Sequence, residues 1–144
     1  HRDLHSFPTR RSSDLEAANL LQQGRLLTFD YGLNAEEFLA PHRANGTLRA
    51  YHHHRYADDV LAQPGEQDLT AHVNFTALQA AGETAGLLTE AAQTQSQFLT
   101  GITQRAWAAG SGFGAWSSDR TRQFQTLTHP EHLGRAFRVL VQAR

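Results

Sequence analysis

Cysteine and methionine are both missing from this chain of 144 residues. The lack of cysteine excludes disulfide bonds and thiolate metal sites, and it is typical of a cytosolic protein. No apolar run approaches the roughly 20 residues that a membrane-spanning helix needs. The formal net charge is only -1 and no basic stripe is present, so we expect no nucleic-acid partner. These absences together predict a cytoplasmic protein with no membrane span.

The missing methionine also predicts that the chain is a fragment, because a complete translated protein begins with one. Residues 1–15, HRDLHSFPTRRSSDL, resemble a translated sequencing adapter. The alternative is a short basic targeting tail, but this segment has no apolar core and no cleavage site. We therefore interpret 1–15 as an artefactual tail and 16–144 as part of one domain.

Helix and strand patterns alternate along the remaining residues. A helix is predicted over 16–23 with Gly24 as its cap, and a buried parallel strand over 26–29 leads into a polar Asp-Tyr-Gly turn. The later predicted elements are a short helix at 35–39, a turn at 64–65, a helix at 75–81, a strand at 86–92, a helix at 93–102, a loop at 108–118, a helix at 119–127 and a strand at 136–141. This order suits the second half of a doubly wound α/β sheet that ends in an antiparallel strand.

A set of short motifs in a fixed order carries a family resemblance. They are DYG at 30–32, GTLR at 46–49, PG at 64–65, DLT at 68–70, VNF at 73–75, TQ at 94–95, FL at 98–99, GI at 101–102, Gly134 and FRVL at 137–140. In this order they resemble the C-terminal part of the MidA family of class I S-adenosylmethionine-dependent methyltransferases. The mitochondrial arginine methyltransferase of complex I assembly is related to this family.

The resemblance implies that residues 16–144 are the C-terminal half of a Rossmann-like sheet, and therefore an incomplete domain of a cytoplasmic bacterial enzyme. It implies S-adenosylmethionine as cofactor, bound mainly by a missing N-terminal half. It also implies a protein substrate, with an arginine of a respiratory complex I subunit as the acceptor. The family's glycine-rich cofactor turn follows its first strand, and no such turn follows a strand here. The cofactor-binding residues are therefore unknown, and we expect the isolated fragment to be inactive.

Asp30, Tyr31 and Gly32 are predicted at the carboxyl end of a central strand, where ligands of such sheets bind. In the family context Asp30 and Tyr31 are the predicted catalytic residues, and Gly32 contacts the substrate. Asp30 would orient or deprotonate the nucleophile, while Tyr31 would form a wall or hydrogen-bond to the substrate. The structural alternative is that Asp30 caps the following loop and that Gly32 permits a positive φ.

Four further polar residues, Asp68, Thr70, His72 and Asn74, alternate and would share one face of an extended segment. They are candidate substrate-binding residues that line a cleft. The alternative is that Asp68 and Thr70 satisfy backbone groups of a turn while Asn74 caps the next helix.

Arg49 is a further substrate-binding candidate, beside a carboxylate or a substrate backbone, although a salt bridge within the loop explains it equally well. The run of three histidines at 52–54 with His72 suggests a metal, but neighbouring strand residues point to opposite faces and no other ligand motif is present. We therefore predict no metal.

Two functions follow from the sequence. The first is a fragment of an S-adenosylmethionine-dependent methyltransferase that acts on protein arginine. The alternative is a non-enzymatic module that docks a partner through the polar loop 51–75. The oligomeric state is left open, and residues 16–144 alone are expected to be poorly soluble, because half a sheet exposes apolar surface.

Overall fold

The computed structural model describes residues 16–110 and 114–144, so the predicted tail over 1–15 lies outside the described residues. A four-stranded mixed sheet has the order β5-β1-β7-β6, and a small antiparallel sheet has the order β3-β2-β4. The strands are β1 Arg25–Leu33, β2 Arg49–His52, β3 Arg55–Ala57, β4 Asp68–Thr70, β5 Val73–Asn74, β6 Leu88–Thr94 and β7 Phe137–Ala143. The fold is therefore mixed α/β, as the sequence predicts.

Six helices connect the strands in the described part of the chain. They are α1 at 16–20, α2 Ala35–Phe38, α3 Phe75–Thr84, α4 Gln95–Ala108, α5 Ser118–Thr128 and α6 Leu133–Ala136, with a 3-10 turn at Pro41–Arg43. Side chains close the amino ends of the longer helices: Asn74 accepts from the backbone N–H of Ala77, and Thr94 forms a capping box with Gln97.

Helices α3 and α4 pack on opposite faces of the main sheet. Phe75 and Leu78 of α3 form the buried core with Leu140 of β7. Phe98 of α4 meets Phe29 of β1 edge-to-face, with ring centroids 5.4 Å apart. Phe29 pairs with Val139, the neighbour of Leu140 along β7. Because successive strand residues point to opposite faces, the two helices cover the two sides of β7.

The prediction for β1 is right in type and wrong in length and pairing. The strand continues through Asp30, Tyr31 and Gly32, so these residues form no turn. Over Arg25 to Tyr31 the strand pairs antiparallel with β7, and its parallel partner β5 meets it only at Gly32 and Leu33. It is also not fully buried. Short-range signals could not show this, because the ladder with β7 joins residues more than 100 positions apart.

The predicted extended segment 68–74 is broken in two. Asp68–Thr70 is β4 in the small sheet, whereas Val73–Asn74 is β5 beside β1 in the main sheet. Leu69, between Asp68 and Thr70, is 56% exposed. The chain turns between the two strands, so the alternation does not place Asp68, Thr70, His72 and Asn74 on one surface.

The later elements are confirmed, with different ends. Helix α3 reaches Thr84 and α4 reaches Ala108, both beyond the predicted ends, while α5 matches within one residue. Strands β6 and β7 are antiparallel neighbours, and β7 lies between β6 and β1. Gly24 ends no helix, because α1 stops four residues earlier; its N–H and C=O instead pair with Arg144. Of the predicted loop at 108–118, residues 111–113 lie outside the described part.

Candidate functional site

An open cleft of about 580 Å³ lies at the carboxyl end of β1. Its floor is Gly32 and Leu33, where β1 leads into α2. Its walls come from α2, the 3-10 turn, the residue before β5 and the segment from Pro130 to Arg138. Four separate parts of the chain thus meet at the position where α/β sheets bind ligands.

Gly32 is required at the floor by close packing. A Cβ at this position would overlap the ring of Phe75 and would lie 2.9 Å from the carbonyl oxygen of Val73. Its φ is not in the left-handed region, so conformational freedom is not the reason for glycine. The predicted residue does line the cleft, and the structure gives it a packing role.

The charged lining of the cleft contains three arginines, two histidines and two glutamates: Arg43, Arg135, Arg138, His42, His72, Glu36 and Glu37. Arg138 and Glu37 form an ion pair, with Nη2 and Oε2 separated by 2.5 Å and side chains 18% and 32% exposed. Glu37 also accepts from the backbone N–H of Asn34 as part of the α2 capping box. This pair fixes α2 against the start of β7 and thereby holds two walls of the cleft together.

The other charges of the cleft are not paired in this way. Within the described residues, Arg43, Arg135 and Glu36 form no ion pair. The Nε atoms of Arg43 and Arg138 are buried, and neither has a hydrogen-bond partner in the described part of the chain. The cleft therefore has a carboxylate, Glu36, that could bind a cation, and two guanidinium groups, Arg43 and Arg135, that could bind an anion.

His72 is held in a position that favours its neutral form. Its backbone N–H donates to Thr47 Oγ1 at 3.1 Å, which ties the turn before β5 to the GTLR segment. Burial, followed by the positive charges of Arg43 and Arg49, lowers the pKa of the His72 imidazole below its ordinary value. A neutral imidazole can accept a proton or a hydrogen bond from a ligand at neutral pH.

Asp30 is close to the cleft, and Tyr31 points to the other side of the sheet. Asp30 is paired across the sheet with Arg138, so their side chains share a face. One oxygen of Asp30 accepts from the backbone N–H of Tyr31 at 2.8 Å. The Tyr31 ring lies against Phe137 with centroids 4.0 Å apart. Neither residue lines the cleft, and their catalytic roles stay predictions.

Arg49 lies in a second, adjacent cavity of about 280 Å³. Its guanidinium is 5.9 Å from the centre of the Tyr56 ring, at the reach of a cation–π contact. The two cavities share His42 and Arg43, so the basic lining continues from one to the other. Arg49 forms no salt bridge within the described residues, and its substrate-binding role stays a prediction.

The remaining predicted site residues are separated. Asp68 and Thr70 are exposed on β4, opposite Tyr51 and Arg49. The side chain of Asn74 caps α3, which is the structural role that the sequence leaves open for it. Of the four alternating residues only His72 reaches the cleft, and binding roles for the other three stay predictions.

The histidine run forms the turn between β2 and β3. His53 and His54 have φ values of 47° and 62°, and His52 Nδ1 is 2.9 Å from the carbonyl oxygen of Glu66. Among residues 16–110 and 114–144, no group of three or more metal-ligating side chains is found.

Sequence patterns do not single out Glu36, Arg43, Arg135 or Arg138 as site residues. Glu36 belongs to the acidic first turn of α2, which reads as ordinary helix capping. Arg138 is part of a motif that carries the family resemblance, yet nothing local sets it apart from other strand arginines. An ion pair across 101 residues has no signal in a single sequence.

The described residues contain no strand that leads through a glycine-rich turn into a helix. Strand β1 leads to α2 through the capping residue Asn34, and β6 leads to α4 through Thr94. Gly110 and Gly114 both have positive φ, but they follow a helix. This part of the chain thus lacks the nucleotide cradle that backbone N–H groups of such a turn provide, and no residue is assigned to a cofactor.

Two solved structures from Burkholderia thailandensis resemble the chain. One is a native structure of an uncharacterized superfamily protein, with a TM-score of 0.80, 28% identity, and coverage of 93% of this chain and 36% of that one. The second is described as a member of the same superfamily and "likely methyl transferase" bound to S-adenosyl-homocysteine, with a TM-score of 0.75, 28% identity and coverage of 93% and 35%. The chain thus spans about a third of the length of these relatives.

No curated protein matches the sequence. Within the part of the chain that the structure describes, no helix is long and apolar enough to cross a membrane. Residues 12–93, more than half of the chain, match a family model. The chain therefore belongs to the family described as "Putative S-adenosyl-L-methionine-dependent methyltransferase".

Proposed function

We propose that this chain forms the acceptor-binding side of a methyltransferase that uses S-adenosylmethionine and acts on a protein. The observation that carries the proposal is the cleft at the carboxyl end of β1, in a chain of this family. It combines the unpaired carboxylate of Glu36 with the imidazole of His72, whose lowered pKa keeps it neutral. S-adenosylmethionine supplies the methyl group, and the residues of this chain would bind the acceptor and take its proton.

Arginine is the acceptor that we propose, in a subunit of respiratory complex I. A guanidinium stays protonated in water, so methylation requires a group that orients it and removes a proton. Glu36 would hold the cation, because its carboxylate lines the cleft and has no ion-pair partner in the described residues. Asp30 lies on the same face of the main sheet as Arg138, and it would orient the reacting nitrogen from beside Gly32.

We also propose that the cofactor is bound mainly by a part of a longer protein, and that residues 16–144 are an incomplete, MidA-like domain. Two observations support this. The chain spans only 36% and 35% of the length of these relatives, and the α4 side of β1 leaves Leu27 and Tyr31 each 47% exposed. Apolar side chains along a central strand are normally covered. On this basis the 144-residue chain should associate in size-exclusion chromatography; a monodisperse, monomeric peak would contradict the proposal.

The activity is tested with the full-length protein, tritiated S-adenosylmethionine and extracts enriched in complex I subunits. We expect labelled methylarginine, and we expect Asp30→Asn to lower turnover by about 100-fold, because the reacting nitrogen would lose the group that orients it. Asp119→Asn is the matched control, because that side chain is 77% exposed on α5. Undiminished turnover of Asp30→Asn would remove Asp30 from the mechanism.

A docking module is the second function that a specific observation favours. Between Tyr51 and Phe75 the chain exposes Tyr56, Leu61 and Leu69 by 56%, 82% and 56%. Exposed side chains of this kind, on the small sheet and on the segment between β3 and β4, can anchor a partner protein. The two proposals differ in one measurement: Leu61→Ser would abolish partner capture in a module and leave methylation of a short peptide unchanged in an enzyme.

A further inference from the structure

We infer that the cleft also binds carboxylates, so that the acceptor segment carries acidic residues beside its methylated position. The inference rests on the proposed function in calling the bound segment a methyl acceptor. The anion site itself follows from the charges and geometry of the cleft. Arg43 and Arg135 would form this site, and neither is among the predicted site residues.

Two arginines of the cleft each have a side-chain nitrogen without a hydrogen-bond acceptor in the described part of the chain. The Arg43 Nε atom is buried without an acceptor in the described part of the chain, and so is the Nε atom of Arg138. Leaving a buried donor unsatisfied is unfavourable, so such atoms usually have partners. Both arginines line the same cleft. These Nε atoms lie beneath the surface, so a carboxylate entering the cleft would pair with the terminal nitrogens of Arg43, in the planar geometry that guanidinium groups match.

Positively charged side chains outnumber negatively charged ones in the lining of the cleft. Among the residues that line the cleft, Glu37 is neutralised by Arg138 at 2.5 Å, which leaves Arg43 and Arg135 with the carboxylate of Glu36, while Asp30 lies just outside the lining. The excess positive charge stands in a chain whose formal net charge is -1. Burial first, and then the positive charges of Arg43 and Arg49, lower the pKa of the His72 imidazole.

The basic lining extends from the cleft into the adjacent smaller cavity. The cleft and the smaller cavity share His42 and Arg43, and the smaller cavity continues to Arg49. An extended peptide advances roughly 3.3 Å per residue, so a few residues on one side of the acceptor would pass over this lining. One acidic side chain at Arg43 and another toward Arg49 or Arg135 would use it. Glu36 remains available for the cationic acceptor itself.

The test is direct binding to the full-length protein, measured by fluorescence anisotropy with labelled hexaglutamate and the uncharged hexaglutamine as probes. We expect hexaglutamate to bind at least about tenfold more tightly, and Arg43→Gln to remove about tenfold of its affinity, since a charge-assisted hydrogen bond is worth roughly one factor of ten or more. Arg135→Gln should have a smaller effect, because that side chain is exposed. Arg120→Gln is the control: it removes the same charge from an exposed position on α5.

Equal hexaglutamate affinity of Arg43→Gln and Arg120→Gln would overturn the inference. Competition provides a second test. If inorganic phosphate displaces hexaglutamate at a lower concentration than acetate does, the site prefers phosphate to carboxylate and the inference is overturned. If Arg43→Gln fails to fold, Arg43→Lys keeps the charge without the planar fork and should bind with intermediate affinity; affinity equal to wild type would refute the bidentate contact.

The two proposals fail in different ways. Binding of hexaglutamate without any methyl transfer would leave the anion site standing and reject the enzyme. Methylation that is equally fast with acidic and uncharged residues beside the arginine would support the enzyme and reject this inference.

Discussion

The ion pair between Arg138 and Glu37 offers a sharp test of how the cleft is held together. It joins β7 to α2 across 101 residues of sequence. Replacing Arg138 by Gln keeps much of the apolar stem and removes the charge. The Glu37 carboxylate then keeps its hydrogen bond from the backbone N–H of Asn34 and its remaining contact with solvent.

The size of the effect follows from the partial burial of the pair. Exposed ion pairs contribute about 0.2–1 kcal/mol, whereas breaking a fully buried pair costs about 3–5 kcal/mol. Here the two side chains are 18% and 32% exposed, and one oxygen has a second donor. We therefore expect a coupling energy of about 1–2 kcal/mol between Arg138 and Glu37, between those two limits.

The assay is a double-mutant cycle in urea unfolding of the full-length protein, with Arg138→Gln, Glu37→Gln and the double variant. The matched control is the pair Arg25–Glu90, which has bonds of 2.6 and 2.9 Å but side chains 63% and 38% exposed. Its coupling should be smaller and should vanish in high salt, while that of Arg138–Glu37 should persist. A coupling energy near zero for Arg138–Glu37 would refute the claim that this pair fixes α2 to β7.

Three other outcomes are expected. Gly134→Ala should cost about 2–3 kcal/mol, because its Cβ would collide with the backbone carbonyl of Thr128. Gly101→Ala in α4 should change stability by less than about 1 kcal/mol, because its Cβ would meet only the end of the Arg105 side chain; equal losses in urea unfolding would be inconsistent with this. The folded-state pKa of His72 is lowered, so the unfolded state binds more protons, and stability should fall as the pH drops below about 6.5. A His72→Gln variant should lose less between pH 7 and 5, and identical slopes would contradict the assignment. Asn74→Ala should cost about 1 kcal/mol as a lost helix cap, and no change in thermal unfolding would speak against that role.

Local patterns determined most of the secondary structure. The apolar run that starts at Leu26, the cap residue Asn74 and the alternation in 136–141 each specify an element within a few residues, because caps and periodicity act over short distances. The motif order also led to the methyltransferase family. Element ends were less accurate, as in α4, which extends six residues beyond its predicted end at Ile102.

The site depended on contacts that a single sequence does not encode locally. Asp30 and Tyr31 were placed in a turn, but the distant strand β7 extends β1 through both of them and sends their side chains to opposite faces. Alternation suggested that His72 shares a face with Asp68, but the chain changes sheets between them.

The sequence by itself therefore determined helices α1 to α5, the start of β1, strands β6 and β7, and the family, because caps and periodicity depend on neighbours a few residues apart; it did not determine the small sheet, β5 or α6. Only the tertiary structure decided which charges meet. It brought Glu37 to Arg138, left Arg43 and Glu36 unpaired among the described residues, and set His72 beside two arginines. Electrostatic interactions depend on distance in space and on burial, and both are fixed only when the sheet and its connecting segments pack together.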